Sequence, residues 1–157
     1  MMSDEFDHLL AKSYAGCASP EEAPAYARLL PHLRAVERAG DSIVEVAGEL
    51  ILQQLHLPST PWLSRLHRAV KVACLCHDIG KANGSFQKMV RRQLDPKLQP
   101  ARHELLSALL LMDKNYPIRE WAVNLLRQDG ESNDSEMLLD CVIGAVAGHP
   151  AERQRGL

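Results

Sequence analysis

Four histidines in this sequence lie on the apolar faces of predicted helices. His77, for example, continues a line of Leu66, Val70 and Ala73 at helical spacing. A lone histidine in such a place is usually a hydrogen-bonded core residue, because each buried neutral imidazole needs a polar partner. Four of them are better explained by a metal that they share. These histidines are His32, His77, His103 and His149.

Asp78 follows His77 directly and adds a carboxylate to this set. Neighbouring side chains on a helix diverge by about a hundred degrees, so the pair can reach one ion only at a helix end or from slightly different sides. Gly80 predicts such an end. A carboxylate can bridge two cations at the short spacing used in two-metal phosphoester chemistry. Histidine-rich ligation with one carboxylate favours Mn, Fe, Co, Ni or Zn over Mg, which prefers oxygen ligands.

The elements that must position these residues are predicted to be helices. Apolar residues recur with a helical period along nearly the whole chain, which predicts an all-α fold. Gly40 is expected to separate two helices, the second of which presents Ile43, Val46 and Leu50 as its apolar face. The predicted helices cover about residues 26–36, 41–56, 61–77, 85–94, 101–114, 118–127 and 135–148.

Length and composition fit one globular domain. The chain has 157 residues, of which 46% are hydrophobic and 24% charged, and this usage excludes a disordered protein. The net charge of -2 gives no general attraction to polyanions, so nucleic-acid binding would need a local patch or a metal. The four cysteines form no disulfide pattern, and neither a signal peptide nor a membrane span is evident. We expect a cytoplasmic protein with no membrane partner.

The run His77-Asp78-Ile79-Gly80-Lys81 resembles the signature of the HD superfamily of metal-dependent phosphohydrolases. The segments 82–87, 102–108 and 147–149 are similar, more particularly, to the HD nuclease domain of CRISPR-associated proteins. In type I systems that domain is fused to or partners the effector helicase, or lies on the large subunit of the effector complex. The resemblance covers roughly residues 29–149 and implies a helical bundle with a metal site between its helices.

The resemblance also implies roles for individual residues. His32, His77, Asp78, His103 and His149 match the family's metal ligands, with one or two ions held there. Asp78 and Lys81 are the implied catalytic residues, because the ammonium of a lysine can neutralise charge that develops at a phosphodiester under attack. Pro150 stands where the family often has a second histidine. The family's later aspartate has no counterpart before Leu157, so we expect residues 1–157 to be one C-terminally truncated HD domain, with a diverged protein as the alternative.

The favoured function is cleavage of single-stranded DNA in CRISPR antiviral defence, together with a helicase and an effector complex. Lys88, Arg91 and Arg92 are predicted to share one face of the helix after the motif and to hold the strand, although such a face is often only solvated. Two alternatives stay open. The chain could be a phosphohydrolase of nucleotides or cyclic nucleotides, or, given Pro150, a degenerate module that only docks in a larger complex.

Overall fold

The computed structural model describes residues 8–14, 23–95, 101–127 and 134–148. Helices dominate these ranges, and the only β-type pairing in them is an isolated bridge between Leu10 and Arg28. The predicted all-α fold is therefore confirmed. The helices are α1 (Leu29–Gln54), α2 (Ser59–Cys76), α3 (Gly84–Val90), α4 (His103–Met112), α5 (Pro117–Leu126) and α6 (Asp134–Ala147), with short 3₁₀ turns at Ala25–Ala27 and Ile79–Ala82.

The predicted break at Gly40 is wrong, because α1 continues through it as one 26-residue helix. Gly40 and Gly48 face α2 instead. A Cβ atom at Gly40 would lie 2.7 Å from Cys74 Sγ, and one at Gly48 would lie 2.8 Å from Leu63 Cδ1. A glycine inside a helix costs about 1 kcal/mol relative to alanine. Here the missing side chains of the two glycines permit the close packing of α1 on α2.

The predicted apolar face of residues 41–56 is also wrong. Ile43, Val46 and Leu50 lie on the exposed side of α1, and Val46 is 88% exposed. The buried side of the helix contains Val44 and Leu52 together with the two glycines. Two apolar stripes therefore run along this helix, and only one of them packs against α2.

The main core lies where α2, α5 and α6 meet. Two side chains also join neighbouring helices through backbone carbonyls: Arg68 Nε donates to the Leu126 carbonyl at 3.1 Å, and Arg119 Nη1 donates to the Leu111 carbonyl at 3.0 Å. These contacts join α2 and α4, which carry the candidate site, to α5. The buried core residues are Val72, Cys76, Leu111, Ala122, Val123, Leu126, Leu138, Leu139, Val142 and Val146.

No helix in the described ranges is both long enough and apolar enough to cross a bilayer.

Candidate metal centre

Asp78 lies at the centre of the candidate site, just past the end of α2. The helix ends at Cys76, and Asp78 begins the 3₁₀ turn Ile79–Ala82 with φ near -118°. This change in backbone direction turns the carboxylate into the bundle, where it is 1% exposed. The helix end predicted at Gly80 therefore exists, and it buries the aspartate.

Histidines from three elements face the Asp78 carboxylate. His32 of α1 and His77 at the end of α2 each place Nε2 3.2 Å from Asp78 Oδ2. His103, the first residue of α4, places Nε2 3.1 Å from the other oxygen, Oδ1. The structure thus brings together four of the five predicted ligands, while His149 lies outside the described residues.

The His77 ring is oriented by a backbone carbonyl. Its Nδ1 lies 2.7 Å from the Cys74 oxygen. Because a carbonyl can only accept, Nδ1 carries the proton, and in the neutral ring Nε2 presents a lone pair to Asp78. Metal-binding histidines commonly donate their other N–H in this way. The ring also lies 5.5 Å, centroid to centroid, from that of His32.

The two oxygens of Asp78 differ in their partners. Oδ2 contacts His32 and His77 and also accepts from Lys81 Nζ at 2.7 Å. Oδ1 makes no hydrogen bond to the described part of the chain, although His103 Nε2 lies 3.1 Å from it. A buried carboxylate oxygen left without a partner is costly.

The residues present therefore fit a divalent transition metal. Ligand atoms of His32, His77 and Asp78 all lie within 4.8 Å of one another. Two imidazoles and one carboxylate at this spacing are donors that such ions prefer. A cation beside Oδ1 would also satisfy the oxygen that now has no hydrogen bond.

The protonation states follow from the same contacts. Burial alone would raise the pKa of Asp78, but contacts with the three histidines and Lys81 outweigh it and hold the pKa far below its usual range. Burial lowers the pKa of His77, yet the Asp78 carboxylate and the Cys74 carbonyl outweigh this effect, so the pKa is raised despite the opposing charge of Lys81. The Asp78 carboxylate is thus ionised, and it favours the protonated form of His77.

Gly80 sets the distance between the Asp78 turn and α4. A Cβ atom there would clash with the backbone carbonyl of His103 and would lie 2.8 Å from the Ser107 nitrogen. The Gly80 N–H donates to Ser107 Oγ at 2.8 Å. Glycine therefore allows α4 to approach closely enough for His103 to reach Asp78.

Gln87 supports the structure of the site, although the sequence alone predicted no role for it. This buried side chain donates from Nε2 to the carbonyls of Lys81 at 2.8 Å and Leu10 at 2.9 Å, and its Oε1 accepts from Leu10 N–H at 3.1 Å. It links the Lys81 turn to residues 8–14. The sequence feature that could have identified Gln87 is its place as a polar residue among Phe86, Met89 and Val90, which are buried in α3.

Lys81 is almost fully buried, with 3% of its surface exposed. Its ammonium lies over the Phe86 ring, 5.5 Å from the centroid, in addition to its contact with Asp78. Asn83 stabilises the next helix by accepting from Phe86 N–H at 2.9 Å and donating to the Gly80 carbonyl. The segment after the His-Asp pair therefore folds around the lysine.

The predicted helix 85–94 and its basic face are wrong in detail. The helix α3 ends at Val90, and the backbone of Arg92 has a φ of 60°, so the chain turns away. Arg91 Nη2 donates to the His8 carbonyl at 3.1 Å and so holds the N-terminal segment. Lys88 and Arg92 are exposed. The three cations therefore do not share one helical face.

An all-α bundle with a His-Asp pair at a helix end, faced by histidines from two further helices, is the arrangement of the HD superfamily. A match to the family described as Cas3, HD domain covers residues 12–153. The chain therefore belongs to the Cas3 HD domain family.

A Myxococcus xanthus protein described as a CRISPR-associated nuclease/helicase Cas3 is 37% identical to this chain over 135 residues. The match covers 85% of this chain but only 17% of the relative. No solved structure matches the chain significantly.

Proposed function

We propose that this chain is a metal-dependent nuclease domain that cleaves single-stranded DNA in CRISPR antiviral defence. The observation that carries the proposal is the buried Asp78 carboxylate, whose two oxygens face histidines on different helices. A carboxylate so placed can hold two cations at the spacing used to cleave phosphodiesters. Membership of the Cas3 HD family supports the same reaction class.

His32 and His77 would bind one ion together with Asp78 Oδ2, and His103 would bind on the Oδ1 side. His149 would complete the ligand set. Mn, Fe, Co, Ni or Zn would be preferred over Mg, because the donors are mainly nitrogen. When bound, such ions supply an activated water and stabilise charge on the attacking and leaving oxygens.

Lys81 would act as a catalytic point charge. Its ammonium is already held inside the site, 2.7 Å from Asp78 Oδ2. From there it can donate to a non-bridging oxygen of the scissile phosphate, which gains charge in the transition state. The Gln87 contact to the Lys81 carbonyl and the Phe86 ring limit the movement of the lysine, so little reorganisation is needed.

The substrate would be one flexible strand. A net charge of -2 provides no general attraction to a duplex, and a site between packed helices would exclude a double helix about 20 Å wide. Lys88 and Arg92, which are exposed, would contact the strand backbone. Arg91 would contribute a weaker contact, because its guanidinium also holds the His8 carbonyl.

The partners would be a helicase and a CRISPR effector complex, which would supply the opened strand. The description of the Myxococcus xanthus relative joins nuclease and helicase in one protein.

Cys74, Cys76 and Cys141 carry free thiols, which fits the reducing cytoplasm as the place of action.

The decisive experiment compares substrates with the wild-type protein and with Asp78→Asn. Metal-free protein is loaded with Mn²⁺ and incubated with single-stranded DNA, blunt duplex, mononucleotides and cyclic dinucleotides. We expect cleavage of the single strand alone, and its loss in Asp78→Asn but not in the control Asp140→Asn, whose side chain is exposed on α6.

Each other result contradicts the proposal in its own way. Hydrolysis of mononucleotides or cyclic dinucleotides without strand cleavage would instead identify a nucleotide phosphohydrolase. Metal binding without turnover of any substrate would identify a non-catalytic module. Equal cleavage of duplex and single strand would refute the strand preference.

A further inference from the structure

Arg102 is an exposed arginine whose guanidinium is held in one place. It is the residue directly before α4, and 59% of its side chain is exposed. Its Nη2 donates to Glu104 Oε1 at 2.9 Å, and its Nε donates to Glu104 Oε2 at 3.5 Å. Because two nitrogens of one edge contact two oxygens of one carboxylate, the direction of the guanidinium is restricted as well as its position.

The carboxylate that holds Arg102 is itself buried. Glu104 is 1% exposed in the first turn of α4. A long solvated side chain ordinarily samples many rotamers, and ordering it on a ligand costs conformational entropy. Because Glu104 restricts Arg102 before any ligand arrives, a ligand that binds this guanidinium loses less of its binding energy to ordering.

The same carboxylate places Arg102 beside the candidate metal centre. Glu104 Oε2, which accepts from Arg102 Nε, also lies 3.6 Å from the Nδ1 atom of His103. The other nitrogen of that ring lies 3.1 Å from Asp78 Oδ1. One carboxylate oxygen therefore separates the guanidinium from an imidazole of the centre, so a strand bound at Asp78 would pass close to Arg102.

Arg102 also retains donors for a ligand. The contact with Glu104 uses the N–H groups along one edge of the guanidinium, and its other N–H groups have no partner among the described residues. Arginine binds phosphate oxygens through paired N–H groups, a geometry that lysine lacks. Lys81, by contrast, is 3% exposed and contacts Asp78, so it can reach only a phosphate inside the centre.

We propose that Arg102 binds the phosphate next to the scissile one in a single DNA strand, through the N–H groups that Glu104 does not use. The identity of the ligand as a DNA strand rests on the proposed function. Because its guanidinium is held beside His103, Arg102 would set the register of the strand at the metal centre in addition to attracting it.

The first test measures strand binding by the metal-free protein, so it does not depend on cleavage. Fluorescence anisotropy with a labelled single strand is recorded at several salt concentrations for the wild type and Arg102→Gln. An exposed ion pair contributes a factor of about 2 to 5 in affinity, and we expect a loss of that size. The slope of log affinity against log salt should become smaller by about 0.7, the value for one phosphate contact on a single strand.

A double variant separates this contact from an effect of net charge. Arg102→Gln/Glu104→Gln removes one positive and one negative charge, so its net charge equals that of the wild type. It also leaves no buried carboxylate without its arginine. We expect the double variant to bind the strand as weakly as Arg102→Gln does.

The matched single control is Arg34→Gln. Arg34 is 56% exposed on its side chain and is also paired with a buried glutamate, Glu37. It follows His32 by two residues on α1, and side chains so spaced point to nearly opposite sides of a helix. We expect Arg34→Gln to bind the strand nearly as tightly as the wild type.

The second test locates the phosphate. A single strand carries one uncharged methylphosphonate next to a chosen bond, and cleavage of that bond by Mn²⁺-loaded protein is compared with cleavage in the unmodified strand. We expect the wild type to cut the modified strand about 2- to 5-fold more slowly when the methylphosphonate lies on the Arg102 side of the bond. The modification should have little further effect on Arg102→Gln, because the contact is already lost.

The outcomes separate this inference from the proposed function. Unchanged strand affinity and salt dependence in Arg102→Gln overturn the inference, even in a protein that cleaves single strands. Equal losses in Arg102→Gln and Arg34→Gln overturn it as a general charge effect, and so does wild-type binding by the double variant. A methylphosphonate effect of equal size in the wild type and Arg102→Gln places that phosphate elsewhere and also overturns it.

A specific loss of strand affinity in a protein without nuclease activity supports the Arg102 contact and refutes only the proposed reaction. If Arg102→Gln does not fold, the double variant decides, because it contains no unpaired buried carboxylate.

Discussion

The Gly80 N–H donates to Ser107 Oγ at 2.8 Å, so the turn after the His-Asp pair lies directly on the first helical turns of α4. This contact determines how close His103 can come to Asp78. Gly80 and Ser107 are 27 residues apart in sequence, yet their contact controls the geometry of the candidate metal centre.

The close approach predicts the effect of Gly80→Ala. The added Cβ atom meets backbone, at the His103 carbonyl and the Ser107 nitrogen, which cannot rotate away as a side chain could. We expect a loss of about 1–3 kcal/mol in the free energy of unfolding, the range for overpacked sites. Urea unfolding measures it, and Mn²⁺ affinity should fall as His103 is displaced.

The control for Gly80→Ala is Gly144→Ala on α6, where an added Cβ atom meets nothing within 4 Å. The free energy of unfolding of that variant should be unchanged or higher by about 0.5–1 kcal/mol, since alanine favours a helix. Equal stability of the two variants would contradict the role of Gly80.

The raised pKa of His77 predicts how pH affects stability without metal. A raised folded-state pKa stabilises the fold fully below the unfolded pKa, and this stabilisation disappears as pH rises through the folded pKa. We therefore expect metal-free protein to lose stability as the pH increases above the ordinary histidine value of 6.5. Thermal unfolding between about pH 5 and 9 measures this.

Asp78→Asn supplies the comparison for that pH series, because the carboxylate contributes most to raising the pKa of His77. Its stability should vary less over the same range. In the wild type, metal affinity should rise with pH while stability falls, because the ion displaces the His77 proton. A flat wild-type stability curve would contradict the assignment.

Gln87→Ala should destabilise the fold and impair the site together. The change removes three hydrogen bonds and leaves buried backbone groups of Leu10 and Lys81 without partners. We expect a loss of about 2–4 kcal/mol in the free energy of unfolding, from the cost of unsatisfied buried groups. The exposed Gln93 provides the control Gln93→Ala, which should change stability by less than about 0.5 kcal/mol.

Charge reversal at Lys88 and Arg92 tests the strand-binding surface. The double variant Lys88→Glu/Arg92→Glu should bind single-stranded DNA more weakly and show a smaller dependence of affinity on salt, by about 0.7 per lost phosphate contact. Fluorescence anisotropy at several salt concentrations measures both. Mn²⁺ affinity should be unchanged.

The control for this surface is Arg38→Glu, at an exposed position on α1. Loss of strand affinity there equal to that of the double variant would show only a general charge effect. Arg91→Glu should behave differently from both, because it also breaks the contact with the His8 carbonyl and so lowers stability.

The sequence by itself determined the all-α fold, because apolar periodicity is a local property that each helix displays independently. It also located the end of α2, since Gly80 interrupts the pattern two residues after Asp78. The choice of these two residues with His32 and His103 followed from their helical positions and from the family motif.

The tertiary structure decided what depends on neighbours distant in sequence. Gly40 indicates a helix end locally, but packing against Cys74 makes it part of a continuous helix. Likewise α1 has two apolar stripes, and only the position of α2 determines that Val46 is exposed.

The distribution of partners on Asp78 is also a tertiary property. His32, 46 residues away, reaches Oδ2, while His103 reaches Oδ1 because Gly80 admits α4. The sequence identified residue types able to bind a metal, but side-chain distances arise only when three helices pack together. Local periodicity contains no information on which oxygen each histidine faces.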